Sequence, residues 1–215
     1  MFDITVPLRE GMLQYPEDPL YRREWWYAIE RGNDCNVSNV HLSVHTGTHM
    51  DAPYHFLQDA QTLDQLPPER FVGDCRLAHI AGRPVIDEAD LRPLAPRRGE
   101  RLLLKTDNAD GMRSDVYNPR YVALTPRAAR YLAACGVQAV GIDYLSIEPY
   151  GQDGEVHRIL LGAGIVVYEG YDASAVPAGD YELLALPMLI EKSDGAPCRM
   201  LLREHSSCAM REKKG

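Results

Sequence analysis

Apolar and polar positions alternate along this chain in short runs broken by glycine, proline and aspartate, a pattern of many short strands with few helices. Val40, Leu42 and Val44 interleave with His41, Ser43 and His45, which predicts a half-buried strand with imidazoles on its polar face. Arg101 to Thr106 and Val137 to Asp143 read as more deeply buried strands, the second ending on a carboxylate. Between them Thr125 is a natural N-cap, Pro126 suits a first helical turn, and Gly136 suits the left-handed position after the end, so the helix body is Arg127 to Cys135. A helical turn or two around His157 to Leu161 leads through Gly162 and Gly164 into the strand Ile165 to Tyr168, with Glu169 at its end. Tyr181 to Leu186 and Pro197 to Leu202 flank Ser193-Asp194-Gly195, which predicts a hairpin with a tight Asp-Gly turn. Together these elements predict one mixed α/β domain over residues 1–215, without repeat or linker.

Composition narrows the function classes. A net charge of −8 and a pI near 5.4 repel a phosphate backbone, so nucleic acid is excluded as a partner. No apolar run is long enough to span a bilayer, and Met1-Phe2-Asp3-Ile4-Thr5 lacks the basic start of a signal peptide, so the reading is a cytoplasmic protein with no membrane partner. Cys35, Cys75, Cys135, Cys198 and Cys208 are scattered without metal-ligand spacing and read as reduced, mostly buried thiols. The end, Arg211 to Gly215, is expected to fray.

The chemistry concentrates in His45-Thr46-Gly47-Thr48-His49-Met50-Asp51-Ala52-Pro53-Tyr54-His55. In an extended strand His45 and His49 would lie about 13 Å apart, too far to share an ion, so the chain is expected to bend at Gly47. Imidazole with carboxylate suits Zn²⁺ or Mn²⁺, and without nearby thiolates the set reads as a catalytic site with an open position. The bland alternative, capping or hydrogen-bonding histidines on a polar face, fits a lone histidine better than this cluster. His41 reads as structural, and His79 and His205 have no partner at ligand spacing.

This segment, with Phe56 after it, resembles the signature of the cyclase family of metal-dependent hydrolases, which includes bacterial kynurenine formamidases and isatin hydrolases. The resemblance runs from Asp3-Ile4-Thr5 and Tyr15-Pro16-Glu17-Asp18-Pro19 through Val140-Gly141-Ile142-Asp143 to Ala178-Gly179-Asp180-Tyr181-Glu182-Leu183. It implies a swivelling β/β/α fold with a mixed sheet, and a homodimer or homotetramer whose N-terminal segments help line neighbouring pockets. It implies that His45, His49 and Asp51 hold one metal, and that Asp51 and Glu169 bridge to a second held also by His157. Two zinc ions per chain are then expected, although some relatives use one manganese. His55 is left free to act as catalytic acid and base. Tyr15 stands where formamidases usually carry a tryptophan before Pro-Gly-Asp, which keeps an aromatic substrate contact but alters its shape. Trp25 and Trp26 are expected in the core.

The implied reaction is hydrolysis of an amide C–N bond by metal-activated water, since a divalent cation can lower the pKa of bound water from 15.7 to about 7. The substrate the resemblance points to is N-formyl-L-kynurenine, giving kynurenine in tryptophan degradation. Two alternatives remain open at this point: ring opening of a cyclic amide or lactone, as in isatin hydrolases, and a non-catalytic metal-binding protein.

Overall fold

The computed structural model describes residues 1–205; the fraying expected of Arg211 to Gly215 and the environment of Cys208 lie outside them. Nine strands form one mixed sheet: β1 (Phe2–Asp3), β4 (His49–Asp51), β5 (Val72–His79), β6 (Arg101–Lys105), β7 (Ala139–Ile142), β8 (Val166–Glu169), β9 (Gly179–Leu184), β10 (Gly195–Pro197) and β11 (Leu201–Arg203). Their order is β1-β11-β9-β5-β6-β7-β8-β4-β10, parallel from β5 to β8 and antiparallel on both flanks. Two further strands, β2 (Arg22–Tyr27) and β3 (Val37–His41), pair only with each other.

The parallel centre is buried on both faces, as its near-continuous Val, Leu and Ile content requires. On one face Leu102, Leu104, Val140, Ile142 and Val167 pack against two of the four α-helices among the described residues, α3 (Pro126–Cys135) and α4 (Glu155–Gly162), with the short α1 (Glu88–Leu91) alongside. The fourth, α2 (Ala109–Met112), contributes Met112 to a small separate cluster with Leu13, Tyr121 and Tyr144. On the other face Leu103 and Tyr168 meet Met50, Leu183, Met200 and Leu202, contributed by the antiparallel strands and their connections. Helix α3 forms as predicted. The Thr125 hydroxyl accepts from the Ala128 N–H at 3.1 Å, Pro126 opens the helix, and Gly136 ends it at φ 73°.

Three expectations need correction. The run from Val40 to His45 is not a half-buried strand: β3 stops at His41, Val40 is 53% exposed, and His45 sits in a turn closed by the Thr46 N–H on Ser43. Alternation here reflects a two-stranded ribbon whose side chains are mostly exposed among the described residues. Trp25 and Trp26 lie on that ribbon and not in the core; Trp26 is 65% exposed and the Arg23 guanidinium covers Trp25 at 4.4 Å. Finally, Asp194-Gly195 makes no hairpin turn. β9 and β11 do pair, Leu184 opposite Leu201, but the segment between them crosses to the far edge, where β10 satisfies the backbone groups of β4.

Where the His45–His55 segment crosses Gly170, backbone approaches backbone. Thr48 Oγ1 donates to the Gly170 carbonyl at 2.7 Å and accepts from the Val6 N–H at 2.9 Å, and Gly170 has φ 71°. A Cβ on Gly170 would overlap the carbonyl oxygen of Gly47. Gly170→Ala is therefore expected to cost about 3 kcal/mol or more, combining overpacking of about 1–3 kcal/mol with a left-handed penalty of about 1–2 kcal/mol. Urea denaturation measures it; a loss under about 1 kcal/mol would mean that this crossing relaxes freely.

Candidate metal centre

Strand periodicity and register assemble the centre. Along β4 the side chains of His49 and Asp51 point to one face while Met50 enters the core on the other. The antiparallel partner β8 places Glu169 directly opposite His49. His45 reaches the same place because Gly47, at φ 69°, turns the chain back on itself, as the sequence predicts. His157 comes from the first turn of α4, and its ring lies flat against Phe56, 4.5 Å between centroids and 10° between planes. His55 closes the 3₁₀ turn Pro53–His55, its ring 4.0 Å from that of His45 and 5.9 Å from that of His157.

All five residues expected as ligands thus converge, and they do so in two overlapping groups. His45, His49 and Asp51 form one; Asp51, His157 and Glu169 form the other; each group brings its donor atoms within 4.8 Å of one another. Asp51 is common to both. Its Oδ1 lies 2.9 Å from His45 Nδ1 and 3.5 Å from His49 Nε2, while its Oδ2 is 3.8 Å from His157 Nε2. Glu169 faces His157 Nε2 at 3.2 Å and His49 Nε2 at 3.4 Å.

Two residues at the centre have no counterpart in the sequence-based reading. Glu148 accepts from His157 Nδ1 at 2.8 Å and from the Gly154 N–H at 2.8 Å, a carboxylate at the start of α4. Asp194 accepts from His45 Nε2 at 2.8 Å and lies 3.5 Å from His55 Nδ1. Tyr15 packs against Tyr117 and Tyr150 at centroid distances of 6.0 and 6.1 Å. Burial, followed by the charges of Tyr150, Glu169 and Glu148, pushes its hydroxyl above the usual tyrosine range, so it stands within the field of the centre. His41 is exposed beside Glu24, and His79 and His205 lie outside the donor groups.

The donor set fits a cation. Asp51 Oδ2 is fully buried yet has no hydrogen-bond partner, a costly state unless something positive faces it. Asp51 and Glu169 are two buried carboxylates repelling each other. Burial works against a charge on His45, but the hydrogen bonds to Asp194 and Asp51 outweigh it and raise its pKa to about 10. Burial likewise opposes charging of His157, and Glu148 and Glu169 raise it to about 10. Protons on His45 and His157 would offset part of the charge of Asp51, Glu169, Glu148 and Asp194. A metal must displace those protons, so affinity should rise with pH up to about 10, and loading at pH 7 should release up to about two protons per chain. Calorimetry in buffers of different ionisation enthalpy measures the count; zero release would mean that His45 and His157 are already neutral.

A model of the Cyclase family matches residues 2–149, the stretch that carries His45 to His55. The chain belongs to the cyclase family. Family membership extends past that stretch: the kynurenine formamidase of Paracidovorax citrulli (strain AAC00-1) is 34% identical over 212 residues, 94% of this chain and 96% of its own. A solved structure described as a potential metal-dependent hydrolase with cyclase activity is 33% identical and superposes with a TM-score of 0.83, covering 95% of this chain and 98% of that one. Isatin hydrolase A from Labrenzia aggregata shares the fold at a TM-score of 0.83 and 23% identity, over 94% of this chain and 92% of its own. The mixed sheet with helices on one face is thus the cyclase fold, in line with the α/β fold expected from the sequence.

Proposed function

We propose that this chain is a metal-dependent hydrolase that cleaves the amide C–N bond of an aryl formamide, with N-formyl-L-kynurenine as substrate and kynurenine and formate as products. The observation that carries this reading is the buried cluster of His45, His49, Asp51, His157 and Glu169, whose unpartnered Asp51 Oδ2 calls for a cation, with the more accessible His55 ring at its mouth. The kynurenine formamidases at 30–34% identity support the substrate.

His45, His49 and Asp51 would hold one ion, and Asp51, His157 and Glu169 a second. Imidazole and carboxylate donors suit Zn²⁺, two per chain, or Mn²⁺. Bound there, the metal would polarise the formyl carbonyl and lower the pKa of water. His55 takes a proton from the attacking water as the C–O bond forms, and returns it to the aryl nitrogen as the C–N bond breaks. Tyr15, backed by Tyr117 and Tyr150, offers an aromatic wall for the aryl ring.

The same reading takes residues 1–215 as one domain working in the cytoplasm as a homodimer or homotetramer. Cys35, Cys75, Cys135 and Cys198 are free thiols, which suits a reducing compartment. No helix among the described residues is long and apolar enough to cross a membrane. The ribbon of β2 and β3 exposes Trp26, Tyr27, Val37 and Val40, and a two-stranded ribbon is marginal alone, which favours burial against another copy.

Steady-state hydrolysis of N-formyl-L-kynurenine by protein loaded with Zn²⁺ or Mn²⁺, against metal-stripped protein, tests the proposal. Metal-dependent turnover with kcat/KM above about 10⁴ M⁻¹s⁻¹ is expected. Metal uptake without turnover would discard this substrate and direct the search to cyclic amides and lactones.

A further inference from the structure

Each imidazole of the metal centre has one nitrogen facing the carboxylates and the other held elsewhere. His49 directs Nε2 towards Asp51 and Glu169 while its Nδ1 donates to the Gly47 carbonyl at 2.9 Å. His157 directs Nε2 towards Glu169 while its Nδ1 donates to Glu148 at 2.8 Å. His45 is reversed: Nδ1 faces Asp51 at 2.9 Å, and the nitrogen left over, Nε2, meets Asp194 at 2.8 Å. A neutral imidazole carries one proton, and whichever nitrogen donates it leaves the other as the ligand atom. A carboxylate on the outer nitrogen of a ligand histidine fixes both tautomer and ring orientation.

We propose that Asp194 is the positioning residue of His45: by accepting the Nε2 proton it holds His45 in the tautomer that presents Nδ1 to the ion, as Glu148 does for His157 with the nitrogens exchanged. This rests on the metal-centre reading above. The backbone puts Asp194 there firmly. Its carbonyl accepts from the Ala52 N–H at 2.8 Å, Gly195 beside it pairs with Asp51 across β10 and β4, and the neighbouring Ser193 carbonyl accepts from Leu63 at 2.9 Å. The loop therefore anchors to the ligand strand itself. Its side chain is 40% exposed, so an alanine there leaves no cavity and keeps every one of those backbone bonds.

The competing role is that of a ligand, because His45, His55 and Asp194 also bring donor atoms within 4.8 Å of one another. Metal binding separates the two without any substrate. Zn²⁺ affinity and the number of ions held at saturation are measured by competition with a chromogenic chelator for the wild type, Asp194→Ala and Asp194→Asn. The expected result is weakening of one ion by about 10–100-fold in Asp194→Ala, with the count at saturation unchanged. Asp194→Asn should recover most of the loss, since its amide oxygen still accepts from Nε2. Unchanged affinity in Asp194→Ala, or an asparagine variant no better than the alanine one, would overturn the proposal. So would the loss of one ion at saturation, which would make Asp194 a ligand. A wild-type chain that takes up no Zn²⁺ overturns the metal-centre reading and this one with it; wild-type uptake with an unaffected alanine variant overturns this one alone.

Discussion

Asp51→Asn is expected to leave a folded chain that holds neither metal ion tightly and hydrolyses no faster than metal-stripped protein, a loss on the order of 10⁴-fold or more. The expectation follows from the place of Asp51 in both donor groups. One oxygen faces His45 and His49, and the other, without a hydrogen-bond partner, faces His157. Asparagine keeps the volume and one acceptor but removes the charge that a divalent cation is bound by, and it turns an N–H₂ group towards donors that need a positive partner. His157→Ala provides the contrast. It touches one group only, so it should remove one ion and leave the other. Metal analysis after gel filtration measures both. If Asp51→Asn loses a single ion, as His157→Ala does, Asp51 serves one ion only and its bridging role falls.

The centre was legible where the sequence is locally dense. His45 to His55 carries three of its candidate ligands within one bend, and Gly47 marks that bend because a positive φ favours glycine. The ends of α3 were legible for the same kind of reason, since Thr125, Pro126 and Gly136 act on their immediate neighbours. His157 and Glu169 became visible only through family resemblance: twelve residues apart, on a helix and on a strand, they meet through packing of α4 on the sheet and through the register of β8 with β4. Glu148 and Asp194 left no signal of their own. Glu148 sits in a loop before α4, and Asp194 reads as a turn residue because Gly195 follows it; its place beside His45 depends on β10 crossing to the far edge of the sheet. Alternation misled at Val40 to His45 because a period of two defines two faces without saying whether anything covers them.

His55→Ala is expected to retain its full metal content and lose about 10²–10⁴-fold in kcat, the usual worth of general acid–base help. Three features separate His55 from the other histidines of the site. It belongs to neither of the two donor groups that share Asp51, it is more open to solvent than His45, His49 or His157, and it closes a 3₁₀ turn, whereas His49 lies on β4, His157 on α4 and His45 in the turn before Gly47. Its Nδ1 is 3.5 Å from the Asp194 carboxylate, and its ring lies 4.0 Å from that of His45. A residue so placed can reach a substrate atom above the centre without giving up a bond to metal. Removal should therefore act on the proton transfers and not on the ions, lowering kcat while KM moves little. The aryl amine is the harder group to expel, so a formyl ester of the same aryl ring, whose leaving oxygen needs less protonation, should suffer less from the substitution than the formamide. Parallel loss of metal and rate would instead make His55 a ligand, and equal loss on ester and amide would remove it from protonation of the leaving group.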